Sequence, residues 1–112
     1  MFMPNFSKNE IVLVGYPFSD LTNSKVRPAV VVNAAYTSKD LFIVALTSKT
    51  QSLMSGEFVL SEWQSAGLNV ETAVKRGVFT IHEGLILKFV GRLSKTDAAY
   101  LEKSLRGWFD LK

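Results

Sequence analysis

Lys25-Val26-Arg27-Pro28-Ala29-Val30-Val31-Val32 holds the clearest structural signal in the chain. Its second half is short, apolar and β-branched, which predicts a strand over Ala29 to Val32. Upstream, Ile11 to Phe18 predicts the preceding strand, its end marked by Pro17, and the polar segment Ser19-Asp20-Leu21-Thr22-Asn23-Ser24 joins the two. Arg27 stands before Pro28, which pushes its backbone toward an extended shape. Pro28 has no N–H to donate and suits a strand entrance or edge. A cation at such a loop–strand junction is a natural grip for phosphate. The same four residues also describe a solvated arginine at a strand end, and alone they do not separate the two readings.

Working outward, Leu41 to Leu46 predicts a third strand ending at Thr47-Ser48-Lys49, Phe58-Val59-Leu60 a fourth and Val78-Phe79-Thr80-Ile81 a fifth. Leu85 to Val90 fits a strand or a helix, since runs of this length do not separate them. Ser61-Glu62-Trp63-Gln64 has capping-box spacing and predicts one helical turn, which Gly67 would stop. At the C-terminal end Ser94 is a good N-cap with Asp97 three residues on, and Ala98, Leu101, Leu105 and Trp108 recur at helical spacing. Glu102 and Arg106 form an i,i+4 pair on its outer side. Short strands at close intervals followed by an amphipathic helix predict a mainly β fold, a bent antiparallel sheet closing into a small barrel that protects its edges.

With 112 residues the chain is expected to be one domain spanning 1–112. Hydrophobic residues make up 47% and charged residues 21%, a balance that excludes a disordered chain. The lack of cysteine excludes disulfides, thiol catalysis and zinc–thiolate sites, and it fits a reducing cytoplasm. No run approaches the roughly 18 apolar residues of a membrane span. Met1-Phe2-Met3-Pro4-Asn5-Phe6 lacks the basic region and apolar core of a signal peptide, so a cytoplasmic protein is expected. A net charge of +3 favours the approach of a polyanion without identifying one.

The inventory for chemistry is narrow. His82 is the only histidine, and the ten carboxylates show no metal-ligand spacing, so neither a metal nor another cofactor is expected. Gly-rich phosphate loops are absent as well. Cations and hydroxyls remain, and they suffice for one reaction type. RNA carries its own nucleophile, the 2′-hydroxyl, beside the scissile phosphate. An enzyme need only orient the strand and stabilise the charge that builds on phosphorus. A guanidinium such as Arg27 has the donors for this, and the hydroxyl of Thr47 or Ser48 can bond the same oxygens. If the second and third strands pair antiparallel, the start of one and the end of the other lie together. Lys25 and Lys49 are further backbone contacts or plain solvated lysines. Phe18 can stack a base or pack in the core, and His82 offers a general acid or base or a polar surface residue.

Taken in order, Ile11-Val12-Leu13-Val14, Tyr16-Pro17-Phe18, Arg27-Pro28-Ala29-Val30-Val31-Val32 and Ala45-Leu46-Thr47-Ser48 resemble the first half of PemK/MazF-like toxins, the RNA-cleaving partners of type II toxin–antitoxin pairs. Gly67-Leu68, Val74-Lys75, Phe79-Thr80-Ile81 and Gly91-Arg92-Leu93-Ser94 continue the resemblance, which spans roughly residues 9 to 108. It implies an SH3-like barrel that forms a homodimer and cuts single-stranded RNA without metal, leaving a 2′,3′-cyclic phosphate and a 5′-hydroxyl. It also implies a cognate antitoxin, with DNA contacted only through that partner. Arg27 and Thr47 match the family's catalytic arginine and threonine. Some members carry an arginine–aspartate pair before the fifth strand. This chain has Lys75-Arg76-Gly77 there, which implies a phosphate contact for Lys75 instead. Two other classes stay open: a barrel of the same type that poisons DNA gyrase by binding, and a catalytically inactive nucleic-acid-binding barrel.

Overall fold

A computed structural model of the chain describes residues 6–16, 25–34 and 39–111. Its strands are β1 (Glu10–Tyr16), β2 (Lys25–Ala34), β3 (Asp40–Thr47), β4 (Phe58–Val59), β5 (Ala73–Val74), β6 (Phe79–His82) and β7 (Ile86–Arg92), followed by helix α1 (Lys95–Trp108). All pairings are antiparallel, in the order β4-β5-β3-β2-β1-β7, with β6 also on β3.

The central strands read as unbroken apolar runs because both of their faces are covered. Alternate residues point to opposite sides of the sheet. Ile11, Val30, Val44 and Leu46 enter one core layer, covered by Leu101 of α1 with Phe58, Leu60 and Leu93. Val12, Val14, Ala29, Val31, Leu41 and Ile43 enter the other, with Ile81 of β6 and the half-buried Phe79, Leu85 and Ile86. This second layer is the interior of a small barrel. Strands β6, β3, β2, β1 and β7 form its wall, and a 3₁₀ turn at Glu83–Leu85 bridges its two edges. Irregular register between β1 and β7, and between Val31 and Asn33 of β2 against β3, supplies the local bending that closure needs.

Several boundaries depart from expectation for definable reasons. β2 begins at Lys25 rather than Ala29, so Arg27 and Pro28 sit inside the strand, opposite Val14 and Leu13 of β1. Pairing with β3 begins only at Ala29↔Ala45. Pro28 therefore lies where β2 has a single partner, and its missing N–H interrupts no ladder on the open side. β1 ends at Tyr16, so Pro17, Phe18 and the 19–24 segment lie outside the described residues. The ambiguous Leu85–Val90 stretch divides into the end of the 3₁₀ turn and the edge strand β7.

The Ser61 turn forms, but its cap differs from the expected box. Ser61 N–H, Ser61 Oγ and Glu62 N–H all donate to the carboxylate of Asp97, at 2.9, 2.9 and 3.0 Å. The turn ends in a Schellman arrangement, in which Gly67 N–H donates to Gln64 O and Leu68 N–H to Trp63 O. Gly67 has φ +94°, and a Cβ there would lie 2.6 Å from the Val90 carbonyl, so only glycine fits. Asp97 itself sits in the first turn of α1, where its N–H donates to the N-cap Ser94 Oγ at 3.1 Å. One buried aspartate thus belongs to one helix start and caps a second turn 36 residues away. α1 matches expectation, with Leu101 buried, Ala98, Leu105 and Trp108 half-buried against the core, and Arg106 within 3.9 Å of Glu102.

Candidate active site

The barrel interior does not close at the end where β2 and β3 part. Alternation from Ala29 and Val31 puts Arg27 on the interior side, and alternation from Leu41 and Ile43 puts Ala45 and Thr47 there too. Continued past Ala29↔Ala45, the same register brings Arg27 across from Thr47. The ladder lapses there because β3 changes partners: Leu46 and Thr47 pair with Val74 and Ala73 of β5 on its other edge. A concave space of about 270 Å³ opens in this fork, floored by Ala45 and Leu46 and walled by Arg27, Thr47, Lys49, Lys75, Arg76 and Phe79.

Each wall residue is held by an identifiable local feature. Thr47 is buried, and its Oγ1 accepts the Lys49 N–H at 3.0 Å. That bond uses the hydroxyl as an acceptor and leaves its proton to donate. It also tightens the chain after β3, which keeps Lys49 at the rim. On the opposite side, Lys75 N–H donates to Ala45 O at 3.0 Å, fixing the chain as it leaves β5. Gly77, with φ +133°, then lets the backbone swing out before β6, and Lys75 and Arg76 both border the space.

Behind this segment Glu57 acts as a clamp. Its carboxylate accepts Arg76 N–H and Met54 N–H, each at 2.8 Å. Partial burial pushes the Glu57 carboxyl up. The two N–H bonds, from Arg76 and Met54, and the neighbouring Lys75 and Arg76 charges outweigh that push and hold it below the usual carboxylate range. Among the described residues the walls carry four cations and no carboxylate. Among the described residues no group of three or more His, Asp or Glu side chains is arranged to hold a metal ion.

The structure therefore gathers Arg27, Thr47, Lys49 and Lys75 around one space. Ser48 is exposed beside it but does not line it. Lys25 begins β2, and its side chain lies outside the described residues, as does Phe18 altogether. His82 is elsewhere, its Nδ1 accepting Gly84 N–H at 2.9 Å to cap the 3₁₀ turn. Arg76 and Phe79 also line the space, and sequence reasoning singled out neither as a site residue. The signal for Arg76 was its position between Lys75 and Gly77, where the chain is free to leave the ladder.

A family model of the PemK-like, MazF-like toxins of type II toxin–antitoxin systems matches residues 7–109. The chain belongs to this family. By sequence, no curated protein is a significant match. Among solved structures, the Mycobacterium tuberculosis toxin MazF-mt6 is similar with a TM-score of 0.74 at 17% identity, over 92% of this chain and 98% of that one. An endoribonuclease in complex with its cognate antitoxin, from Mycobacterial species, has a TM-score of 0.75 at 13% identity over 94% and 95% of the two chains. A further endoribonuclease from Mycobacterial species gives 0.74 at 16% identity over 99% and 97%. At such identities the likeness establishes the MazF-like barrel fold. No described helix is long and apolar enough to cross a membrane.

Proposed function

We propose that this toxin is a metal-independent endoribonuclease that cuts single-stranded RNA in the cleft between β2 and β5. The observation that carries the reading is the convergence of Arg27, Thr47, Lys49, Lys75 and Arg76 on one space, with no carboxylate among the described residues of its walls. Such a surface attracts a phosphodiester backbone and repels nothing in it. The family match and the endoribonuclease neighbours support the same chemistry.

In the proposed reaction the substrate's 2′-oxygen attacks the adjacent phosphorus as the 2′-hydroxyl gives up its proton. The bond from phosphorus to the 5′-oxygen breaks, and that oxygen takes up a proton. The products are a 2′,3′-cyclic phosphate and a 5′-hydroxyl. Charge grows on the non-bridging oxygens along the way, and donors fixed beforehand stabilise it most. Arg27 and Thr47 are these donors. A guanidinium keeps its proton over the ordinary pH range, so Arg27 steadies charge rather than acting as the base. Lys49, Lys75 and Arg76 hold the flanking phosphates, with Lys25 and Ser48 as further contacts of the strand.

The same cationic cleft is the expected seat of an acidic segment from a cognate antitoxin, which would silence the enzyme by covering it. The protein is further read as a cytoplasmic homodimer. Leu87 and Phe89 are 60% and 53% exposed on the edge strand β7, which among the described residues pairs only with β1, and such an edge favours a partner.

Incubation of the purified protein with unstructured RNA in excess EDTA tests the proposal. Cleavage leaving cyclic phosphate ends, abolished by 2′-O-methylation at the cut nucleotide, is the expected result. Failure to cut any RNA would instead favour a toxin that acts by binding.

A further inference from the structure

Arg76 borders two hollows. Besides the cleft, it lines a groove of about 410 Å³ between α1 and the Ser55–Gly56 segment, together with Tyr100, Lys103, Ser104 and Trp108. A residue common to both makes the two spaces neighbours along one surface.

This groove is held open by the protein's own bonds. Ser104 Oγ donates to Gly56 O at 2.8 Å, and Trp108 Nε1 donates to Ser55 O at 3.3 Å, so helix and loop are pinned at a fixed separation. Tyr100 packs on the buried ring of Phe58, with centroids 4.5 Å apart and planes at 39°, yet it remains 54% exposed. An aromatic ring packed on one side and open on the other is a stacking platform. Among the described residues the lining adds two cations, Arg76 and Lys103, and no carboxylate. Stacking platforms beside cations are how proteins hold single-stranded nucleic acid without needing a particular sequence.

We propose that this groove is a second nucleotide subsite for the RNA strand cut in the cleft: Tyr100 stacks a base, Lys103 contacts a phosphate, and Arg76 hands the backbone from one space to the other. The inference rests on the reading of the cleft as an RNA site. It adds that RNA reaching the groove is held more tightly than RNA filling the cleft alone.

The test compares 2′-O-methylated, mixed-sequence RNA of roughly 4 and roughly 12 nucleotides, a range that spans one and several contacts. Affinities are measured by fluorescence anisotropy on the full chain. Trp63→Phe leaves Trp108 as the only tryptophan, so its emission reports on the groove. The longer RNA is expected to bind about tenfold tighter and to quench Trp108, and Tyr100→Ala or Lys103→Gln should remove most of that advantage. Tyr100→Phe should keep it, since the ring remains, and Lys103 is exposed on the helix, so its variant tests the groove even if Tyr100→Ala unfolds. Equal affinity for both lengths, or an advantage that survives in both Lys103→Gln and Tyr100→Ala, overturns the proposal. So does loss of antitoxin binding with RNA binding unchanged, which would assign the groove to a protein partner. Cleavage of unmodified RNA of the same two lengths, measured in parallel, separates the two claims. RNA cutting with no length effect sinks the subsite alone, and a length effect without cutting sinks the nuclease reading alone.

Discussion

On one side of β3, Val44 and Leu46 disappear beneath Leu101 of α1, whereas on the other Ile43 is buried but Ala45 and Thr47 lead out to the cleft. The two layers begin from the same apolar strands and finish differently because of what meets them. The first layer has a helix anchored at its start by Ser94 and tied through Asp97 to the 61–67 turn, so it is sealed and does nothing except hold. The second is a barrel interior whose wall divides where β3 exchanges β2 for β5. Polar side chains at that opening keep the rigidity of strands while bordering the cleft. Chemistry needs groups set to within fractions of an ångström on rigid elements, and the open end of the barrel supplies that.

If this division of labour is correct, damage on the two sides must separate stability from activity. Arg27→Ala should lower RNA cleavage by about 100- to 1000-fold, the usual cost of one lost transition-state donor. Its urea unfolding midpoint should barely move. A variant that unfolds rather than loses rate would merge the two regions and break the comparison. Leu101→Ala is the converse. A leucine buried in the helix-covered layer should cost about 2–5 kcal/mol of unfolding free energy on truncation. Turnover per folded molecule should stay near that of the parent.

A smaller effect is expected at Asp97. Asp97→Ala removes a buried acceptor from three donors on the exposed Ser61 and Glu62, which water can then serve, so a loss of about 1–2 kcal/mol in all is expected. Measured by hydrogen exchange, the loss should appear first in residues 61–68 rather than in the barrel strands.

Glu57 gives the mildest prediction, and it concerns pH. Its carboxyl is held low in the folded chain, so the stability it contributes is fully present above its unfolded value, near 4.5, and is lost as pH falls through the lower folded value. The Arg76 and Met54 amide resonances should titrate together with a midpoint below 4.5. Glu57→Gln should remove that transition. A midpoint above 4.5 would mean that burial, rather than the N–H bonds and the Lys75 and Arg76 charges, governs the group.

The strands were legible in the sequence because both layers demand apolar residues, so Ile11–Val14, Ala29–Val32 and Leu41–Leu46 stand out without any alternation to decode. The terminal helix was legible through its cap and its spacing. Arg27 was legible as a residue type and only half legible in place. Pro28 resembles a strand entrance, and only the partner change at Ala45 explains how a proline can sit inside β2. The cap on the 61–67 turn was hidden because Ser61-x-x-Gln64 points to a local box, while the carboxylate that serves it arrives from Asp97 through the tertiary fold. β5 is two residues long and has no pattern of its own. Arg76 was overlooked because it lies just past the two-residue β5, where no strand pattern says which way a side chain turns. Ser48 shows the reverse case, a hydroxyl beside Thr47 in sequence that the strand turns outward.

Amide chemical-shift mapping of the isotope-labelled protein with a 2′-O-methylated RNA tests most directly whether the open end of the barrel is the site. The account predicts that the largest shifts fall on Arg27, Thr47, Lys49, Lys75 and Arg76, with Ile11 and Leu93 of the sealed layer unmoved. Shifts centred instead on the separate hollow lined by Leu13, Lys88 and Phe89, with the cleft silent, would contradict it.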